Sequence, residues 1–270
     1  MRSTLIDKLV EESPDTPVIL GHRGVRHAHI TENTLEAFEE AFRRGARGIE
    51  IDVESTADGK LIVINRWFCK ARLGFFPWEK ELAELRAAAR QEGIEVPLFH
   101  DACGFMASRK ESIFNVEIKS SHRFICHTAR KAVNIIRHHG IDDRVILSSF
   151  DLNTLITTRF FHRTIETAYL FRLNDRTVRI EDKKRWRFKI NTLLNRSGIK
   201  GFLAGADTLH PEITLFPKPG SGEKIWMKGA KLLGKRVNAW TVDEPEEMEK
   251  AVAAGVGVVI SDKVGGNPSL

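Results

Sequence analysis

The chain has 270 residues, 42% of them hydrophobic, and a formal net charge of +6. That length accommodates one large domain with a sizeable core, and the apolar content excludes a disordered chain. No apolar run reaches the length of a membrane-spanning helix, and the start MRSTLIDKLVEESPDTP lacks the apolar stretch of a secretory leader, so the expected address is cytoplasmic.

In chain order, PVIL (17–20) reads as a strand that runs out into Gly21-His22-Arg23-Gly24. Asn33-Thr34 opens the helix LEAFEEAFRRG, and Gly45 stops it. ARGIEIDV (46–53) is the second strand. Asp58-Gly59 then turns the chain, and KLIVIN returns as the other arm of a hairpin. RWFCKARLGFFPWEK, the amphipathic helix ELAELRAAARQEG (81–93) and IEVPLFHDACGF complete an excursion, set at 54–110, above the C-terminal end of that strand. Its aromatic residues Trp67, Phe68, Phe75, Phe76 and Trp78 either floor a small subdomain or line a pocket for an apolar part of a substrate; packing is the commoner use.

IFNVEIK (113–119) is the third strand, followed by a helix from Arg123 to His139 that ends at Gly140. RVILSSF (144–150) is the fourth, after which Asp151 caps LNTLITTRFFH. ETAYLF (166–171), GFLAGAD (201–207), RVNAWTV (236–242) and GVVISD (257–262) complete eight strands. The helical stretches KRWRFKINTLLNR, GEKIWMKGAKLLG and EPEEMEKAVAAG separate them. Strands rich in Val, Ile and Leu without strict polar alternation are covered on both faces. Eight strand-then-helix units predict an α/β fold, a (β/α)8 TIM barrel forming a single domain over 1–270 with an insertion after the second strand. An open doubly wound sheet competes, but no G-x-G-x-x-G follows the first strand. Cys69, Cys103 and Cys126 have neither metal-ligand spacing nor a disulfide framework and read as free thiols.

In such a barrel the active site lies where the strands end and their loops begin. Glu50 and Asp52 are two apart on one buried strand, so they share a face, and Glu117 and Lys119 repeat the pattern on the next. Carboxylates buried together are costly unless a cation sits between them. A hard divalent cation with oxygen ligands accounts for Glu50, Asp52 and Glu117. A salt-bridge network without a metal is the alternative, though such a network does not need this crowding at strand ends. Arg23 and Lys119 then face an anionic ligand, and His22, which titrates near neutrality, is a general base or acid.

HRG, then ENT, then E-I-D-V with T-x-D-G after it, then N-V-E-I-K, S-S-F, W-T-V and I-S-D run in order from about residue 18 to 263. This ordered set resembles the glycerophosphodiester phosphodiesterases, a family of phospholipase-C-like phosphodiesterase TIM barrels. The resemblance implies a phosphodiester hydrolase with one divalent cation, Mg2+ or Ca2+, held by Glu50, Asp52 and Glu117. It implies catalytic roles for His22 and Arg23, and a substrate site lined by Arg23, Lys119 and Trp240. Glu32 matches the glutamate of the family's P-E-N-T, with Thr31 in place of the proline. The implied substrates are glycerophosphodiesters or lysophospholipid-like molecules, which lose an alcohol. In the family one histidine helps a substrate hydroxyl attack phosphorus and a second protonates the departing alcohol.

The sequence departs from the family at that second histidine. Where the family reads V-V-x-H-D, this chain has Ile62-Val63-Ile64-Asn65-Arg66. An amide does not titrate, so Asn65 cannot deliver the proton, and losing a general acid typically costs ~10²–10⁴-fold in rate. Three readings follow. The acid comes from elsewhere, with His100-Asp101 or His122 as candidates. Or the substrate is altered, with a good leaving group and a further anionic group received by Arg66. Or the barrel binds phosphodiesters or lipid headgroups without turnover. The basic stretch Arg172–Lys200 alternates basic and apolar residues as an exposed barrel helix does, so no nucleic-acid partner is expected. Trp186 and Phe188 resting on an anionic membrane is a further reading of the same stretch.

Overall fold

The computed structural model describes residues 5–26, 29–119, 127–172, 194 and 198–265. Eight parallel strands form a closed barrel: β1 (Val18–His22), β2 (Gly48–Ser55), β4 (Ile113–Ile118), β5 (Val145–Ser149), β6 (Glu166–Phe171), β7 (Thr208–Pro211), β8 (Arg236–Ala239) and β9 (Val258–Ser261). Each pairs in parallel with its neighbour, and β1 closes the ring by pairing with both β9 and β2. A ninth strand, β3 (Leu61–Val63), is antiparallel to β2 and forms the expected hairpin. Its turn is held by Thr56, whose hydroxyl donates to Asp58, and by Gly59 at φ +73°. The strands are buried along almost their whole length, as their aliphatic composition requires once helices cover them.

The surrounding helices are α2 (Leu35–Arg43), α5 (Phe99–Ala107), α6 (His127–His138), α7 (Leu152–Phe161), α8 (Ile199–Leu203), α9 (Ile225–Leu232) and α10 (Pro245–Ala253). Local chemistry sets their starts. Thr34 accepts from the Ala37 amide at the head of α2, and Asp151 accepts from the amides of Asn153 and Thr154 at the head of α7. A helix not foreseen from sequence, α1 (Leu5–Glu11), places Ile6 and Leu9 against Val18, Leu20, Ile113, Ile146, Ala168 and Val258. It thereby packs on the inward-facing side chains of the strands.

One strand differs from expectation. GFLAGAD (201–207) is not extended: α8 occupies Ile199–Leu203, and the sixth barrel strand is Thr208–Pro211. Gly205 at φ +65° ends the helix, and a left-handed stop of this kind belongs to a helix terminus rather than to a parallel strand. KRWRFKINTLLNR and the membrane-facing reading of Trp186 and Phe188 fall outside the described residues, apart from Leu194.

Within 54–110 two packings occur. Helices α3 (Arg66–Leu73) and α4 (Leu82–Gln91) join β3 around a small separate core of Ile62, Ile64, Cys69, Leu85, Ala89, Ile94 and Val96. Phe68 and Phe75 pack on it, whereas Trp67, Phe76 and Trp78 form an outer cluster, Trp67 edge-on to Phe76 at 5.4 Å and Phe76 stacked on Trp78 at 4.7 Å. Helix α5 instead buries Phe99, Ala102, Cys103 and Met106 in the core that holds β2 and β4. Cys69 and Cys103 are free, buried thiols.

Candidate active site

Register brings the site together. His22 lies beside Glu50 across β1 and β2, and Asp52 lies beside Glu117 across β2 and β4. One ligand oxygen from each of Glu50, Asp52 and Glu117 falls within 4.8 Å of the others. All three belong to strands buried on both sides, and the exposure of Glu50 and Asp52 is 2% and 0%.

The turn after β1 aims its groups at these acids. Gly21 has no room for a side chain, since a Cβ there would sit 2.1 Å from the Gly24 carbonyl oxygen. Arg23 adopts a left-handed φ of 55°, a conformation held against a steric penalty. In that conformation its backbone N–H donates to Glu50 Oε2 at 3.0 Å. The Arg23 guanidinium forks between Glu32 Oε1 at 2.7 Å and Asp52 Oδ2 at 2.9 Å. Asn33, also at positive φ, clamps Asp52 from two sides: its Nδ2 donates to Oδ2 and its Oδ1 accepts the Asp52 amide, each at 3.1 Å.

His22 is held by the last strand. Its Nδ1 is 2.8 Å from Asp262 Oδ1, and its Nε2 is 3.8 Å from Glu50 Oε2. Burial disfavours the charged ring, but the bond to Asp262 and the charge of Glu50 outweigh it and hold the pKa above the ordinary value. Arg26 ties this corner together, bonding Glu32 Oε2 and Asp262 Oδ2 at 3.1 Å each.

The three acids are not equivalent. Burial works against an ionised Asp52, yet Lys119 and Arg23 overcome it and keep the carboxyl well below the usual range. Lys119 Nζ bridges Asp52 Oδ1 at 2.6 Å and Glu117 Oε1 at 2.5 Å. Glu50 is the opposite case: burial first, then the charge of Asp52, pushes its carboxyl up. No ammonium or guanidinium among the described residues forms an ion pair with it; the partners shown are the Arg23 N–H and the His22 ring. A trio of hard oxygen donors with one member short of positive charge suits a divalent cation of the Mg2+ or Ca2+ type.

Asn65 sits in this cluster as a structural group. Its Nδ2 donates to Asp52 Oδ2 at 3.0 Å, and its Oδ1 accepts the amides of Trp67 and Phe68, capping α3. Arg66, the next residue, is neutralised by an ion pair with buried Glu54 and lies over the Trp78 ring at 5.0 Å. Its charge is thus committed within the protein rather than offered to a further anionic group. His100 is no closer to a catalytic role: it leaves α5 outward, against His138 and His139. His122 is outside the described residues.

Trp240 follows β8 and donates from Nε1 to the His210 carbonyl at 2.8 Å, with Phe150 edge-on at 5.5 Å. The sequence places Asp262 at a strand end, in I-S-D, and Asn33 at a helix start, in E-N-T, without showing what either side chain bonds. Their partners are 240 and 19 residues away in the chain: barrel closure brings Asp262 to His22, and the pairing of β1 with β2 brings Asn33 to Asp52.

Fold and site together define a (β/α)8 barrel with clustered carboxylates, basic side chains and an imidazole at the C-terminal rim of its strands, the usual place for a barrel enzyme's chemistry. The sequence model of the glycerophosphoryl diester phosphodiesterase family matches residues 22–266. The chain belongs to that family. It is 28% identical over 253 residues to an uncharacterised Bacillus subtilis protein, YqiK, covering 90% of this chain and 94% of the relative. It is 25% identical over 255 residues to a glycerophosphodiester phosphodiesterase of Caldanaerobacter subterraneus, covering 91% and 93%. In fold it is similar to an Oleispira antarctica phosphodiesterase solved in complex with the product sn-glycerol-3-phosphate, with a TM-score of 0.71, 19% identity and 95% and 96% of the two chains covered. A glycerophosphodiester phosphodiesterase from Parabacteroides distasonis gives a TM-score of 0.69 at 21% identity, covering 92% and 93%.

Proposed function

We propose that the protein hydrolyses phosphodiesters of the glycerophosphodiester or lysophospholipid type, releasing an alcohol, with the help of one divalent cation. The observation that carries the reading is Glu50, a buried carboxylate short of positive charge, within reach of Asp52 and Glu117 and beside Arg23 and His22. Glu50, Asp52 and Glu117 would hold Mg2+ or Ca2+, which when bound offsets charge on phosphoryl oxygens. Arg23, held by Glu32 and Asp52 through Nη1 and Nε, would reach the phosphate with Nη2, and Lys119 and Trp240 would line the substrate. His22 takes a proton at Nε2 from the substrate hydroxyl that attacks phosphorus, while Asp262 holds Nδ1 and so fixes the tautomer; the P–O bond to the alcohol breaks, and water then opens the cyclic phosphate.

The position that would protonate the leaving oxygen is Asn65, committed to Asp52 and to the α3 cap. Turnover therefore falls off as the leaving alcohol becomes more basic. The same observation favours a second reading, a family member that binds phosphodiesters or lipid headgroups without turnover. Assays on glycerophosphocholine, a lysophospholipid and a nitrophenyl phosphodiester with Mg2+ and with Ca2+ separate the two. Metal-dependent product that is lost in Glu50→Ala supports the hydrolase. Saturable binding with no product from any of the three substrates overturns it in favour of the binder.

A further inference from the structure

Three imidazoles from two barrel helices meet on the outside of the molecule. His100 stands in the first turn of α5, His138 ends α6, and His139 follows it. The ring centroids are 4.4 Å apart for His100 and His139, 5.3 Å for His138 and His139, and 5.7 Å for His100 and His138. Asp101 adds a carboxylate 3.8 Å from His100 Nδ1. The His139 ring lies over Gly104, one turn beyond His100, at ordinary contact distance: a Cβ there would lie 3.5 Å from His139 Cε1.

A second observation points to a ligand. Nε2 of His139 is buried without a hydrogen-bond partner, and an unmet buried nitrogen is costly. Burial, then the two neighbouring imidazoles, hold the His139 pKa below its ordinary value, so the ring is a neutral donor at physiological pH. Neutral imidazole nitrogens suit borderline divalent metals rather than Mg2+ or Ca2+. Imidazoles sharing one tetrahedral Zn2+ at about 2.0–2.1 Å have ring centres roughly 5 Å apart, and the three separations here straddle that value. As the rings stand, only the rim trio among the described residues brings three ligand atoms within 4.8 Å of one another, so binding here requires the exposed His100 and His138 rings to turn their nitrogens toward His139.

We propose that His100, His138 and His139, with Asp101 as a fourth or supporting carboxylate, form a binding site for a borderline divalent transition-metal ion of the Zn2+ class that clamps α5 to α6. The site is chemically distinct from the oxygen-lined trio at the barrel rim and does not depend on the phosphodiesterase reading.

The test is equilibrium dialysis of the chelator-stripped full chain against Zn2+ in excess Mg2+, which occupies the oxygen site, repeated on the Glu50→Gln/Asp52→Asn/Glu117→Gln variant. The expected result is one Zn2+ per chain in both, with affinity reduced by about 10²-fold or more in His138→Ala and in His139→Ala, and about 10-fold in Asp101→Asn. His138 is exposed, so its variant retains the wild-type fold by circular dichroism and isolates the ligand effect. Co2+ in place of Zn2+ should give the visible absorption of a nitrogen-ligated tetrahedral ion, lost in His138→Ala. Zn2+ binding that is equally strong in wild type and His138→Ala, or that does not saturate in either, overturns the site.

Discussion

At the residue scale, the proposed chemistry turns on Asn65, which stands where the family motif carries a histidine. The amide is not idle: it caps α3 and holds Asp52. Restoring a proton donor tests the consequence directly. Asn65→His should raise turnover of a choline-type glycerophosphodiester by about 10²–10⁴-fold, with a much smaller gain on a nitrophenyl ester whose leaving group needs no proton. The same change should cost roughly 1 kcal/mol of stability through the lost cap. Steady-state kinetics on the two substrates and urea unfolding measure both. Equal gains on the two esters would show that proton delivery is not what Asn65 withholds. The substitution was legible in the sequence because it breaks an ordered motif; the amide's double duty was not, because Asp52 and the α3 amides converge only in three dimensions.

At the scale of elements, the insertion after β2 is fastened to the barrel by a charge pair. Arg66 opens α3 and meets Glu54 near the end of β2, a carboxyl that burial, opposed by Arg66, pushes up to about 7. Arg66→Met should destabilise the protein by about 2–4 kcal/mol, because it leaves a buried acid without its partner, and Arg66→Met/Glu54→Gln should recover most of that loss. Denaturant unfolding of the three variants is the measurement; additive losses in the double variant would exclude the pairing. The hairpin, α2, α4 and α7 were readable from turn and cap residues. The misplaced strand at 201–207 shows the limit: GFLAGAD is apolar enough for either state, and a short apolar run does not distinguish a buried strand from a buried helix. Helix α1 escaped notice because its short apolar pattern only gains meaning once a barrel floor exists for Ile6 and Leu9 to meet.

At the scale of the whole molecule, the barrel interior carries a polar layer that makes stability depend on pH. His210 is buried, its Nε2 is 2.7 Å from the Asn238 amide nitrogen, and burial, then the charge of Arg236, lowers its pKa from 6.5 to about 3. Above 6.5 the ring is neutral whether the chain is folded or not. As pH falls below that, the unfolded chain takes up a proton that the folded barrel refuses until about 3, so acid favours unfolding. Between about pH 7 and pH 4 this group should remove on the order of 3 kcal/mol of stability. His210→Asn should flatten that part of the stability profile, whatever its effect at neutral pH. An unchanged slope would mean that the ring is charged inside the barrel. The eightfold strand–helix alternation made the architecture readable from the sequence, whereas which polar residues point inward depends on where each strand starts.

The ring of strands is closed by β1 lying between β2 and β9. The imidazole of His22 is therefore made 240 residues before Asp262, the carboxylate that holds it. A nascent chain can carry the acidic trio and the arginine and still lack a correctly held base. Competence should appear only once β9 and Asp262 have been made, as a step rather than a ramp, and any truncation that removes β9 should leave the proposed base unheld, whatever else of the barrel persists.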